Sequence, residues 1–107
     1  MLGWNTNGLL AQKGRKLRYL ADFIKLEKIT LVMLNETHLG KDVFDAEITR
    51  YFPQFDLYRC DREGKKGGGA AILLHNSMPS IKLDEYDDGC CEYIAVKNKK
   101  ERHVYVS

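Results

Sequence analysis

A mixed α/β sheet is the fold this sequence predicts, on three observations. An amphipathic helical stretch stands between two short apolar segments, the second of those segments is apolar throughout, and the rest of the chain breaks into short strand-like pieces separated by turn residues.

The elements follow in order. Met1 to Trp4 reads as a short strand that stops at Asn5. From Arg15 to Lys28 the apolar residues Leu17, Leu20, Ala21 and Ile24 fall at i, i+3, i+4 and i+7, which predicts a helix with one buried stripe and a charged outer face. Residues 29 to 34, ITLVML, form a continuous apolar run rich in β-branched residues, as a strand covered on both faces requires. Strand, helix and strand in that order predict a parallel pair joined by a right-handed crossover. Val43, Phe44, Ile48 and Phe52 keep helical spacing within residues 41 to 52, and Pro53 ends that segment. QFDLYRCD, GAAILLHN, SIKLDEY, CCEYIAVK and RHVYVS then read as strands of an antiparallel meander, separated by REGKKGG, NSMP, DDG and NKKE. No linker or internal repeat divides the chain.

Composition bounds the function classes. With 107 residues, 44% hydrophobic and 30% charged, the chain has the size and balance of one small globular domain, able to bury roughly two thirds of its unfolded surface. No stretch approaches the roughly 18 apolar residues of a membrane span, and the N-terminus carries no basic segment followed by an apolar region, so the expectation is an intracellular protein without membrane contact. The net charge of +2 does not by itself argue for nucleic acid, although KGRKLR at 13 to 18 and DREGKK at 61 to 66 concentrate charge locally. Cys60, Cys90 and Cys91 are odd in number, with two adjacent, which suits neither a disulfide framework nor a C-x-x-C metal knuckle. They are expected to be reduced.

Two short motifs carry the candidate chemistry. Glu36 follows the apolar strand, and side chains at the carboxyl end of a parallel strand line the ligand crevice of an open sheet. A hard divalent ion takes one or two carboxylates and leaves water and substrate phosphate to complete its shell, so one glutamate suffices as an anchor. Asn5 and Asn7 follow the first strand, and a parallel crossover brings them to the same edge as Glu36. Their amides can donate to phosphate or accept from metal-bound water. The same letters also have an ordinary reading, because Asn-x-Asn-Gly is a turn sequence and a glutamate after a strand is often only solvated.

Taken together, WNTNGL followed by a helix, then ITLVMLNETHL, then DREGKKGGGAAILL resemble the N-terminal half of the endonuclease/exonuclease/phosphatase superfamily. The resemblance is closest to the apurinic/apyrimidinic-like endonuclease domain of non-LTR (LINE-type) retrotransposons. It implies a four-layer α/β sandwich, a mixed sheet, and Mg²⁺-dependent nicking of DNA, with Mn²⁺ as the alternative ion. Carried onto this sequence, it makes Glu36 the metal-binding glutamate, Asn5 the active-site asparagine, and Asn7 a metal-site position that is Asn or Asp in relatives. Gly67 to Gly69 take a structural role, where positive φ or close backbone approach is needed. Relatives carry a tyrosine, an Asp-x-Asn pair and a Ser-Asp-His group further on, and this chain ends at VYVS. Residues 1 to 107 are therefore expected to be a partial domain, inactive and poorly stable alone, with the apolar side chains of AAILL and YIAV exposed. DNA is the expected partner of the complete protein, with a downstream reverse transcriptase domain and a nuclear location in the retrotransposon reading. The alternatives are a superfamily phosphatase or RNA exonuclease fragment, and a truncated relic without activity.

His38, His75 and His103 are expected to be structural or exposed rather than replacements for the missing base. NET at 35 to 37 fits a glycosylation sequon but lacks a secretory signal. DEYDDG at 84 to 89 fails as a calcium loop, with Tyr86 at the third ligand position and Ala95 at the twelfth. The glycine run lacks the order of a P-loop. KGRKLR is either a phosphate contact or a solvated helix start.

Overall fold

The computed structural model describes residues 2–11, 14–40, 42–61, 68–78, 80–82, 95–98 and 104–106. Strand β1 (Leu2–Asn5), helix α1 (Arg15–Glu27) and strand β2 (Leu31–Asn35) follow in the expected order, and β1 pairs with β2 in parallel. A four-residue helix α2 (Ala46–Thr49) precedes strands β3 (Phe55–Cys60), β4 (Ala70–His75), β5 (Ser80–Lys82), β6 (Ala95–Asn98) and β7 (Val104–Val106).

Helix α1 forms where the stripe predicts it. Leu17, Leu20 and Ile24 are buried, and burying one such side chain contributes about 1.5–3 kcal/mol. Its start is unusual, because Gly14 at the N-cap is left-handed and no side chain caps the first turn. At the other end Lys28 adopts φ 53, the left-handed cap conformation usually given to glycine, and its N–H donates to Ile24 O.

The segment 41 to 52 is less helical than its spacing suggests. Only Ala46–Thr49 is α-helix, and the chain beyond it closes through i to i−3 bonds from Tyr51 N to Ile48 O (3.1 Å) and Phe52 N to Thr49 O (2.8 Å). Ile48 and Phe52 are buried as expected, but Phe44 is 75% exposed. Phe44 lies ahead of the helix, which begins only at Ala46, so helical spacing does not carry it onto the face that Ile48 and Phe52 share.

The second half forms two sheets rather than one meander. The first sheet has the order β1-β2-β4-β3, with β4 antiparallel to both neighbours, and the second has the order β5-β6-β7. Both edges of β4 are taken, so β5 cannot pair with it and starts a new sheet. Tyr58 on β3 and Ser80 on β5 share a hydroxyl hydrogen bond of 2.6 Å.

Alternation along the strands divides the first sheet's residues between two cores. One face carries Val32, Leu34, Ala71 and Leu73 against Leu17, Leu20 and Ile24 of α1 and Ile48 and Phe52. The opposite face carries Leu31, Cys60, Ala70, Ile72 and Leu74, with Met33, Tyr58 and Met78 packed against them. Residues 70 to 74 are each 0% exposed, so the expectation that AAILL is left bare is not met. As an inner strand with apolar partners on both faces, β4 is the most thoroughly covered element of the sheet. The apolar segment YIAV lies outside the residues whose side chains are described.

Cys60 corrects a second expectation, since its sulfur is disulfide-bonded rather than reduced. Cys90, Cys91 and His103 lie outside the described residues. Among the described residues no helix is long and apolar enough to cross a membrane.

Candidate active site

Because β1 and β2 are parallel, their carboxyl ends open on one edge, where Asn5 pairs in register with Asn35. The pairing continues past the strands. Thr6 N donates to Asn35 O (2.9 Å), Gly8 N to Glu36 O (2.8 Å) and Leu9 N to Thr37 O (2.9 Å). The Thr6 hydroxyl, 2% exposed as a residue, bridges Asn35 O at 3.1 Å and Glu36 O at 3.0 Å. This ladder brings Asn5, Asn7 and Glu36 together at one edge, all three exposed to solvent. Asn7 (φ 47) and Glu36 (φ 50) both occupy the left-handed region, where a non-glycine residue is held only by surrounding contacts.

Three sets of contacts supply that restraint. The first is the glycine pair before β4: Thr37 N donates to Gly69 O (3.3 Å) and His38 N to Gly68 O (2.9 Å). Gly68 and Gly69 have φ 72 and 88, and a Cβ on Gly69 would stand 2.7 Å from Thr37 Oγ1. The structural role expected of these glycines is thus a positive φ and a close approach at the back of the Glu36 segment; Gly67 lies outside the described residues. Thr37 Oγ1 is buried and has no hydrogen-bond partner among the described residues.

The second is Arg59, at the end of β3. Its guanidinium donates to Val43 O (2.7 Å), Gly40 O (3.0 Å) and both Asp61 carboxylate oxygens, and pairs with Asp45 at 3.2 Å. Arg59 and Asp61 side chains are 12% and 13% exposed. Burial lowers the Arg59 pKa, and the Asp61 and Asp45 carboxylates more than offset it, leaving the group above its ordinary value. The loop that leaves Glu36 is therefore fastened to the sheet.

The third is Lys16, whose ammonium donates to the carbonyls of Thr6 and of Asn7, the latter at 3.2 Å. Sequence reasoning placed this lysine in a basic run without a specific partner. The available signal was a cation in the first turn of a helix, where the macrodipole disfavours one. His38 is exposed and its Nδ1 lies 3.4 Å from where a Gly8 Cβ would be. His75 sits at the far end of β4, edge-on to Phe55 and 2.8 Å from Ser77 Oγ.

The residues at this edge fit a hard divalent ion of the Mg²⁺ type. They offer one carboxylate and neutral amide oxygens in an open, solvated setting, which leaves positions for water and phosphate. Among the described residues there is no cluster of three or more His, Cys, Asp and Glu. A cavity of about 470 Å³ opens elsewhere, lined by Lys28, Thr30, Phe52, Phe55 and His75 among others. These residues mark the opposite end of the strands, where the lining is mainly apolar, so concavity and polar convergence point to different ends. Polar convergence at the carboxyl edge is the better guide in an open α/β sheet.

Fold and edge define an open α/β protein whose candidate chemistry lies where its parallel strands end. The chain belongs to the endonuclease/exonuclease/phosphatase family, whose sequence profile matches residues 2–106. Solved structures with the same fold include a 3′ phosphatase from Neisseria bound to a product DNA hairpin, at 20% identity and TM-score 0.66, covering 96% of this chain and 39% of that one. AP endonucleases from Leishmania major (19%, TM-score 0.64, 97% and 37%) and Archaeoglobus fulgidus (16%, TM-score 0.62, 92% and 37%) are similar in the same way. The chain thus spans about two fifths of the length of these neighbours. No curated protein matches it.

Proposed function

We propose that this chain contributes part of the active site of a Mg²⁺-dependent phosphodiester hydrolase, a DNA endonuclease of the non-LTR retrotransposon kind. The observation that supports it most is the ladder from Thr6 to Leu9 onto residues 35 to 37, which gathers Asn5, Asn7 and Glu36 at the carboxyl edge of β1 and β2. In this reading Glu36 anchors the metal through its carboxylate and Asn7 through its amide oxygen. Asn5 uses its amide N–H groups to orient a phosphate oxygen. A metal held there would neutralise the charge that develops on the phosphate and the leaving oxygen. The histidine and aspartate that activate water are assigned to the rest of such a domain, as is any reverse transcriptase partner and nuclear setting to a longer protein.

Family membership and the resemblance of WNTNGL and NETHL to retrotransposon endonucleases support the DNA-nicking reading. The Neisseria 3′ phosphatase, with its DNA hairpin, supports phosphomonoester removal as the second reading. The test is Glu36→Gln in a protein that carries residues 1–107 together with the remainder of the domain. Supercoiled plasmid should be nicked with Mg²⁺, and the variant should lose most nicking at low Mg²⁺ while keeping its fold. Equal nicking across a Mg²⁺ titration removes Glu36 from the site, and release of phosphate from 3′-phosphorylated DNA without nicking favours the second reading.

A further inference from the structure

We propose that Lys16 is a positioning residue for this site, holding the Asn5–Asn7 loop against the strand end that carries Glu36. The backbone accounting of the loop carries the inference. Its donors are used toward β2: Thr6, Gly8 and Leu9 N–H groups bond the carbonyls of Asn35, Glu36 and Thr37. The carbonyls of Thr6 and Asn7 accept no backbone bond among the described residues, and both accept from one group, the Lys16 ammonium. Asn7 between them sits at φ 47, a conformation that costs a non-glycine residue on the order of 1–3 kcal/mol and persists only under such restraint.

The lysine is also in an expensive place for a helix. It stands in the first turn of α1 between Arg15 and Leu17, with no acidic residue in that turn and no side-chain cap at Gly14. A cation there works against the helix dipole, and two charge-assisted hydrogen bonds to the loop offset that cost. Its contacts are to the loop carbonyls, so its proposed effect on the site runs through Asn7.

The inference rests in part on the metal reading above, and the charge of Lys16 makes the test decisive. If Lys16 acted only as a nearby positive charge, its removal would relieve repulsion and tighten Mg²⁺ binding. If it positions the loop, its removal loosens Asn7 and weakens binding. The experiment compares the protein that carries residues 1–107 with the remainder of the domain as wild type, Lys16→Met and Lys16→Arg, with thermal unfolding of each recorded alongside. Metal-free amide hydrogen exchange at Gly8 and Leu9 should accelerate at least tenfold in Lys16→Met, with exchange at Val32 and Leu34 unchanged. Mg²⁺ titrations followed by the Asn7 and Glu36 amide signals should show about tenfold weaker binding in Lys16→Met and partial recovery in Lys16→Arg. Unchanged exchange at Gly8 and Leu9, or Mg²⁺ binding equal to or tighter than wild type, overturns the proposal. Faster exchange in Lys16→Met with no Mg²⁺ response in the wild type sustains the positioning role and removes the metal from the proposed function.

Discussion

Replacing Gly69 with alanine should be among the most damaging single-methyl additions to this chain, for two separable reasons. Gly69 has φ 88, and a left-handed conformation costs a side chain bearing a Cβ roughly 1–2 kcal/mol. The new methyl would also lie 2.7 Å from Thr37 Oγ1. Thr37 is 0% exposed and cannot swing into solvent, so the overlap should add about 1–3 kcal/mol as overpacking does elsewhere. Together the loss is about 2–5 kcal/mol, or roughly 10–30 °C in Tm for a domain of this size. Urea and thermal unfolding followed by circular dichroism measure the total. The two parts separate in a double-mutant cycle with Thr37→Ala, which removes the clashing oxygen and should leave only the backbone part, about 1–2 kcal/mol. A Gly69→Ala loss below about 0.5 kcal/mol, or a double mutant no better than additive, would refute the close approach and the restraint it places behind Glu36.

Further outcomes follow from the same contacts. Arg59→Ala should destabilise by about 3–5 kcal/mol, because it leaves the nearly buried Asp61 uncompensated and strips the carbonyls of Gly40 and Val43 of their donor; equilibrium unfolding checks this. Lys28→Gly should stabilise by about 0.5–1 kcal/mol by relieving the left-handed cap of α1, and a loss of stability would show that the lysine side chain contributes more than its backbone costs. Thr37→Val should be neutral or slightly stabilising in urea unfolding, since it removes a buried hydroxyl that has no partner among the described residues. Cys60 should resist thiol reagents in the unfolded protein until a reductant is added, and ready labelling without reductant would return it to the reduced state that the sequence suggests.

Periodicity made the framework legible. The stripe of Leu17, Leu20 and Ile24 and the apolar run ending at Leu34 are local signals, and strand-helix-strand order makes the crossover parallel. From those two facts the meeting of Asn5, Asn7 and Glu36 at one edge could be reasoned without coordinates. What escaped was set by contacts distant in sequence. The insertion of β4 between β2 and β3, which splits the second half into two sheets, depends on pairing across more than thirty residues. The Lys16 contacts to Thr6 and Asn7 depend on where α1 lands over the loop. Phe44 keeps helical spacing in the sequence yet reaches solvent because the helix begins only after it, at Ala46. Cys60 offered a count and a spacing, and neither reveals a partner chosen by the fold.

The central proposal, that Glu36 and Asn7 hold one divalent cation beside Asn5, is tested most directly by Mn²⁺ titrated at low occupancy into an isotopically labelled protein that carries residues 1–107 with the remainder of the domain. Paramagnetic broadening should strike the amide signals of Asn7, Gly8, Glu36 and Thr37 first and leave Lys28, Thr30 and His75, at the other end of the strands, sharp. Glu36→Gln should abolish the effect. Broadening centred on His75 and Thr30, or broadening at the Asn7 edge that survives Glu36→Gln, would contradict the account.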